Sequence, residues 1–266
     1  MAAFTARDVQ ALRQATGAGM MDAKKALQEA DGDTDRAKKL LREWGLGKAD
    51  DRADRENAQG AIAVGTASGA VGLVELKCET DFVAKSPNFV ALTQALADSV
   101  AAGGESAVSE HTDAVDDLRV TLKENIEAGR AIQVTVGDGE AVGTYLHRQE
   151  GRGVNGVAVV VRGGTEELAH GIAVHVAFAK PQYLSRADVP TEAVEEERQT
   201  LLNITKAEGK PEAAWPKIVE GRLNGWYKER VLLEQPFVRD EKQTIAQVAT
   251  AGGAEVVRYA QLFIGG

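Results

Sequence analysis

The chain has 266 residues, 44% hydrophobic and 27% charged, enough to bury a substantial core in one to three domains. Its formal net charge of −9 and pI near 5.1 argue against a broad surface for nucleic-acid phosphates, which needs clustered Lys and Arg. The single cysteine, Cys78, excludes an internal disulfide and fits a reducing cytoplasm. Arg7 and Asp8 interrupt the start before any apolar run forms, so no signal peptide is expected, and no apolar stretch is long enough for a membrane span.

Residues 1–45 predict three short helices. Thr5 is placed to cap the first, with Asp8 three residues on and Val9 and Leu12 inside. Gly17 and Gly19 break it. The second carries Ala23, Ala26, Leu27 and Ala30 inward and Lys24 and Lys25 outward. Asp33 or Thr34 caps the third, with Ala37, Leu40, Leu41 and Trp44 inside, and Gly45 stands where a C′ glycine belongs. Met20 and Met21 suit either a small core or an adaptable apolar contact. Residues 46–60 are polar and charge-mixed and read as a linker, in part helical.

From Ala61 the period changes to two, and Ala61–Ala67 and Val71–Glu79 predict a hairpin turned at Ser68-Gly69. The strand runs into Thr80-Asp81-Phe82-Val83-Ala84-Lys85 and then a Ser86-Pro87 helix start. An aromatic at such a junction either plugs the local core or is held outward on a turn. Phe89, Leu92, Leu96 and Val100 form one helical stripe; Val115, Leu118, Leu122 and Ile126 form another that stops at Gly129. Ile132, Val134 and Val136 alternate as a strand. A turn at Gly137–Gly139 leads into Val142–Arg148, where Tyr145 and His147 share a face.

Gly151-Arg152-Gly153-Val154-Asn155-Gly156 matches Gly-x-Gly-x-x-Gly. A strand, not a helix, is predicted after it, so no helix N-terminus is there to hold a pyrophosphate. Thr165 caps the next helix. Hairpin-then-helix thus occurs twice, which suggests two related halves. Beyond Pro190 two amphipathic helices flank Gly209-Lys210-Pro211: Val194, Leu201 and Ile204 on one, Trp215, Val219, Leu223 and Trp226 on the other. They predict an antiparallel helical hairpin. A short helix over 244–251 and a strand over 255–264 close the chain.

No catalytic constellation rises above background. There is no His-Glu-x-x-His, no cysteine pair and no Gly-x-Ser-x-Gly, so no metal, cofactor or covalent chemistry is expected. Thr80-Asp81-Phe82-Val83-Ala84-Lys85, together with Leu12-Arg13 and Thr16-Gly17-Ala18-Gly19-Met20-Met21-Asp22, resembles the bacterial elongation factor Ts family over nearly the whole chain. The resemblance implies a cytoplasmic guanine-nucleotide exchange factor that binds elongation factor Tu in its GDP-bound and nucleotide-free forms, with no direct nucleic-acid or membrane contact.

It also implies an α+β fold. Residues 1–45 would be a ubiquitin-associated-like module that docks on Tu, followed by the 46–60 linker. Residues 61–140 would form one core subdomain, with residues 141–189 and 236–266 forming the second. Residues 190–235 would be an inserted coiled coil, a candidate for self-association. Gln235–Val238 resembles the family's return to the core sheet. By the family's pattern Thr80, Asp81, Phe82 and Val83 disturb the Mg²⁺ site of Tu, and Met20, Met21, Asp22, Lys24 and His147 contact the partner. The family often has cysteine where Ala23 stands, and some relatives carry a further C-terminal helix.

Overall fold

The computed structural model describes residues 4–266, apart from the side chains of Lys48 and Asp50; the first three residues of the expected N-terminal module lie outside the described residues. The chain opens with α1 (Ala6–Thr16), α2 (Met20–Glu29) and α3 (Thr34–Asp50). Thr5 and Asp8 form a reciprocal capping box on α1, and Asp33 Oδ1 caps α3 by accepting from the amides of Asp35 and Arg36. Val9, Leu12, Ala23, Ala26, Leu27, Ala30, Ala37 and Leu41 form a small closed core.

The end of α3 departs from the sequence expectation. Gly45 does not adopt the left-handed conformation of a helix stop, and the helix continues to Asp50. The reason is tertiary. Ala49 is buried, Arg42 bridges Asp113 at 2.6 Å and Asp117 at 3.4 Å, and the Arg52 guanidinium donates to the carbonyl of Arg119 at 3.2 Å. Asn125 then donates to the carbonyls of Ala53 and Arg55, so the expected linker is fastened to the core along much of its length.

The core begins with β1 (Gln59–Ala67) and β2 (Ala70–Cys78), antiparallel around the expected turn, then α4 (Asp81–Ala84), α5 (Pro87–Gly103), α6 (Thr112–Leu122) and β3 (Glu127–Thr135). The second helical stripe ends earlier than its spacing predicts. Lys123 turns left-handed at φ 59°, Ile126 is buried in the connection that follows, and Gly129 lies inside β3. The chain continues through β4 (Glu140–Gln149), β5 (Arg152–Arg162), α7 (Glu166–Ala179), α8 (Thr191–Ala207), α9 (Trp215–Arg230), β6 (Pro236–Phe237), β7 (Asp240–Thr244), α10 (Ile245–Ala251) and β8 (Glu255–Phe263).

Two three-stranded antiparallel sheets result, β1-β2-β3 and β4-β5-β8. Each carries a long helix on its outer face, α5 with α6 beside it on the first and α7 with α10 beside it on the second. Phe89, Leu96 and Val100 of α5 meet Val74 and Leu76; Ile172 and Val176 of α7 meet Val157, Val159 and Val161. The inner faces pack on each other through Ile62, Val71, Leu73, Ala158, Val160 and Leu262. β5 is therefore buried on both faces, which explains its unbroken valine-rich run.

In both halves a strand glycine sits directly under the helix backbone. A Cβ on Gly72 would meet the carbonyl oxygen of Ala97 at 2.3 Å, and one on Gly143 the amide nitrogen of His170 at 1.9 Å. Gly72 lies on the central strand of its sheet and Gly143 on an edge strand, so the close approach is made at different places in the two sheets.

Between β5 and β8 the chain makes an excursion. α8 and α9 pack on each other, with ion pairs Arg222–Glu208 and Arg198–Glu220. Val189, Leu223, Tyr227 and Val231 are buried at their base with Val194, Leu201 and Trp226 beside them. Ile204, expected inside, is 44% exposed; Thr205 takes the buried place, its hydroxyl donating to the carbonyl of Leu201. Pro236–Phe237 does not rejoin a core sheet but pairs with β7 in a two-stranded ribbon, and the return to the sheet is made by β8.

His175 ties this return to α7. Its buried ring accepts from the amide of Val238 at Nδ1 and donates to Gln235 Oε1 from Nε2, and Gln235 donates to the carbonyl of Glu229. A proton on Nδ1 would remove the acceptor, and burial already holds this imidazole below its ordinary value of 6.5. The folded state thus binds fewer protons than the unfolded chain. Stability is fully present above the unfolded value and falls as pH drops through it toward the folded one. Melting temperature should decline between about pH 7.5 and about pH 5.5 in the wild type and less in His175→Gln, and parallel declines would remove the histidine from the cause.

Candidate functional site

β2 ends at Cys78, whose thiol is buried, hydrogen-bonds the carbonyl of Thr80 at 3.2 Å and is pushed up to about 12 by that burial. It is an inert strand residue rather than a nucleophile. The chain then turns sharply. Thr80 has extended backbone and caps α4, accepting from the amide of Val83 at 3.3 Å. One turn of helix fixes the directions of the next four side chains. Ala84 is fully buried and Val83 packs on the β1-β2-β3 core, so these two anchor the turn. Phe82 points the other way and is 80% exposed.

An exposed phenyl ring on a braced turn costs apolar hydration with no return inside the free protein. The brace is substantial. Glu124 accepts from the amides of Glu79 and Thr80 at 3.0 and 3.1 Å and from the Thr80 hydroxyl at 2.5 Å. Glu79 in turn accepts from the amide of Asn125 and pairs with Arg55. Sequence reasoning missed Glu124 and Asn125, which follow the left-handed Lys123 and carry no local pattern that points to Thr80.

Hydrogen bonds to a charged acceptor contribute about 1.5–3 kcal/mol. Glu124→Ala should therefore lower stability by about 2 kcal/mol and loosen α4. Denaturant titration checks the first effect, and faster amide exchange at Thr80 and Val83 the second.

Asp81 lies beside Phe82. Its carboxylate pairs with Lys85 at 2.6 Å and is held below the usual carboxylate range, first by that hydrogen bond. Lys85 also pairs with Glu150, in the β4–β5 turn, and its ammonium stands 5.9 Å from the Phe82 ring centre. The α4 turn and the tip of the second sheet are thereby joined. His147 is exposed on β4 just before this tip, stacked on Tyr145 with centroids 6.4 Å apart. Tyr145 in turn meets His170 edge-on, and His170 Nδ1 donates to the carbonyl of Thr144 at 2.7 Å.

The remaining sequence candidates form a second patch on α2. Met20 is 47% exposed and Met21 74%, so neither serves the core of the three helices. Lys24 is exposed and Asp22 half-buried.

The glycine motif holds no phosphate cradle. Gly151 makes the turn at φ 86°, and the rest of the motif is β5 itself. Arg152 is buried there, donating to the carbonyl of Gly60 and to Gln59 Oε1. Among the described residues no group of three His, Cys, Asp or Glu side chains could hold a metal ion. What this end of the molecule offers is an exposed aromatic ring and an exposed imidazole, with a half-buried carboxylate held by Lys85 beside the ring.

Residues 79–266 match the family model described as Elongation factor TS. The chain is 44% identical over 277 residues to Elongation factor Ts of Clavibacter michiganensis subsp. michiganensis, covering all of both chains. It is also 44% identical over 280 residues to that of Renibacterium salmoninarum and 41% over 277 residues to that of Kineococcus radiotolerans, again covering all of each. Full-length similarity of this extent, with the exposed ring and carboxylate at the head of the matched region, leads to one conclusion: the chain belongs to the elongation factor Ts family.

Proposed function

We propose that this protein is a cytoplasmic guanine-nucleotide exchange factor for elongation factor Tu and has no catalytic chemistry of its own. The observation that carries the reading is Phe82, exposed on a turn that Glu124 and the buried Ala84 hold rigid. GDP on such a GTPase is held by its phosphate loop and by Mg²⁺. A factor that weakens those contacts from outside needs only an apolar wedge and a charged group. Phe82 supplies the wedge and Asp81 the charge, with Thr80 and Val83 fixing the turn and His147 touching the same region of the partner.

The α2 patch of Met20, Met21, Asp22 and Lys24 is the second contact, through which α1–α3 dock as a ubiquitin-associated-like module. Residues 61–140 and 141–189 with 236–266 form the two core subdomains. α8 and α9 form a helical hairpin of coiled-coil type, a candidate for self-association that the exposed Ile204 supports. The acidic balance argues against direct nucleic-acid binding, and no described helix is long and apolar enough to cross a membrane.

Exchange is a linkage statement. A protein that binds nucleotide-free Tu more tightly than GDP-bound Tu lowers GDP affinity by the same factor. Titration against both forms of Tu tests this. Tighter binding to the nucleotide-free form supports the reading, and equal affinities overturn it.

A further inference from the structure

Lys85 does three things at once. It pairs with Asp81 one helical turn back, pairs with Glu150 across the gap between the two sheets, and stands near the Phe82 ring. Only 27% of its side chain is exposed. Glu150 occupies the left-handed region at φ 51°, an uncommon conformation for a glutamate, and the turn it helps make aims its carboxylate at Lys85. A bulge between His147 and Arg148 bends β4 at the same end.

We propose that Lys85 is a positioning residue for exchange: the Asp81–Lys85–Glu150 chain locks the Phe82 turn of the first half to the His147 strand of the second, so that wedge and imidazole meet Tu in one fixed geometry. The proposal rests on the exchange reading above. The two groups come from different sheets whose inner faces are packed together, and at the α4 end the turn and the β4–β5 tip are tied to each other through Lys85. Without the lysine, Asp81 and Glu150 would leave two carboxylates facing one another with no cation between them. The α4 turn would keep its anchors, Ala84 and Glu124, and the sheets their packed inner faces, so the fold survives while the α4 turn and the β4–β5 tip lose their fixed spacing. Preorganised groups lose activity when their supports are removed, even where every contacting side chain is retained.

The test is labelled-GDP release from Tu with wild type, Lys85→Gln, Lys85→Arg, Glu150→Gln and the Lys85→Gln/Glu150→Gln double variant, each titrated to saturation. A partly exposed ion pair is worth about a two- to fivefold effect. Lys85→Gln should lower the saturating rate about fivefold with little change in the half-saturating concentration, and Glu150→Gln about twofold. Lys85→Arg should stay within about twofold of wild type, since it keeps the charge. The double variant should be no slower than Lys85→Gln alone, because the lysine acts through Glu150.

Wild-type rate in Lys85→Gln, an arginine variant as slow as the glutamine one, or fully multiplicative losses in the double variant would each overturn the proposal. Glu150→Gln decides it alone should Lys85→Gln fail to fold, since an unchanged rate there removes the link. A wild-type protein that does not accelerate release overturns the exchange reading itself and this proposal with it.

Discussion

Phe82→Ala is expected to slow saturating GDP release about 10- to 150-fold while the free protein melts at the wild-type temperature. A phenyl ring buried only in the complex contributes about 1.5–3 kcal/mol of apolar transfer. Each 1.4 kcal/mol is about tenfold. In the free protein the ring is 80% exposed, so its removal takes almost nothing from the core. A core phenylalanine would instead cost about 3–5 kcal/mol of stability. Melting temperature and saturating rate therefore separate the two roles. A variant that melts many degrees lower makes Phe82 a structural plug, and one that melts normally and exchanges normally removes the wedge from the mechanism.

Gly143→Ala is expected to have the opposite signature. Its Cβ would lie 1.9 Å from the amide nitrogen of His170 and 2.2 Å from the carbonyl carbon of Ala169. Both are backbone atoms of α7, so no side chain can swing aside. Overpacking commonly costs about 1–3 kcal/mol, and contact with backbone puts this site at about 3 kcal/mol. In a protein of this size that lowers melting by about 6–12 °C. Calorimetry checks it. An unchanged melting temperature would mean that α7 can lift from β4, contrary to the close approach of its backbone to Gly143.

Much of this was legible in the sequence because the decisive signals are local. Thr5, Asp33 and Thr165 cap the helices that follow them, since a side-chain oxygen three residues before a free amide is a nearest-neighbour feature. The hairpins were legible from period-two alternation, whereas the place of Phe82 between a strand end and a Ser-Pro start left it open between a core plug and an outward ring; its 80% exposure decides for the second. What was missed depends on contacts far along the chain. Gly45 has the composition of a stop, but burial of Ala49 and the Arg42 bridges to α6 carry the helix past it. Ile204 fits an inward spacing, yet Thr205 wins the place by returning its hydroxyl bond to its own helix. The supports of the site are of the same kind. Asp81 and Lys85 are four apart and visible as a helical pair, whereas Glu124 and Glu150 reach α4 from other elements of the fold, and no local pattern announces them.

The chain is expected to release GDP from elongation factor Tu through the braced Phe82 turn. The most direct measurement loads Tu with fluorescent GDP, chases with excess unlabelled nucleotide, and follows release with rising amounts of the wild-type protein. The account predicts a release rate that climbs and saturates, reaching a plateau at least about tenfold above the spontaneous rate, as expected if the ring alone contributes that much. A rate that stays at the spontaneous value at every concentration, while the two proteins are shown to bind, would contradict it.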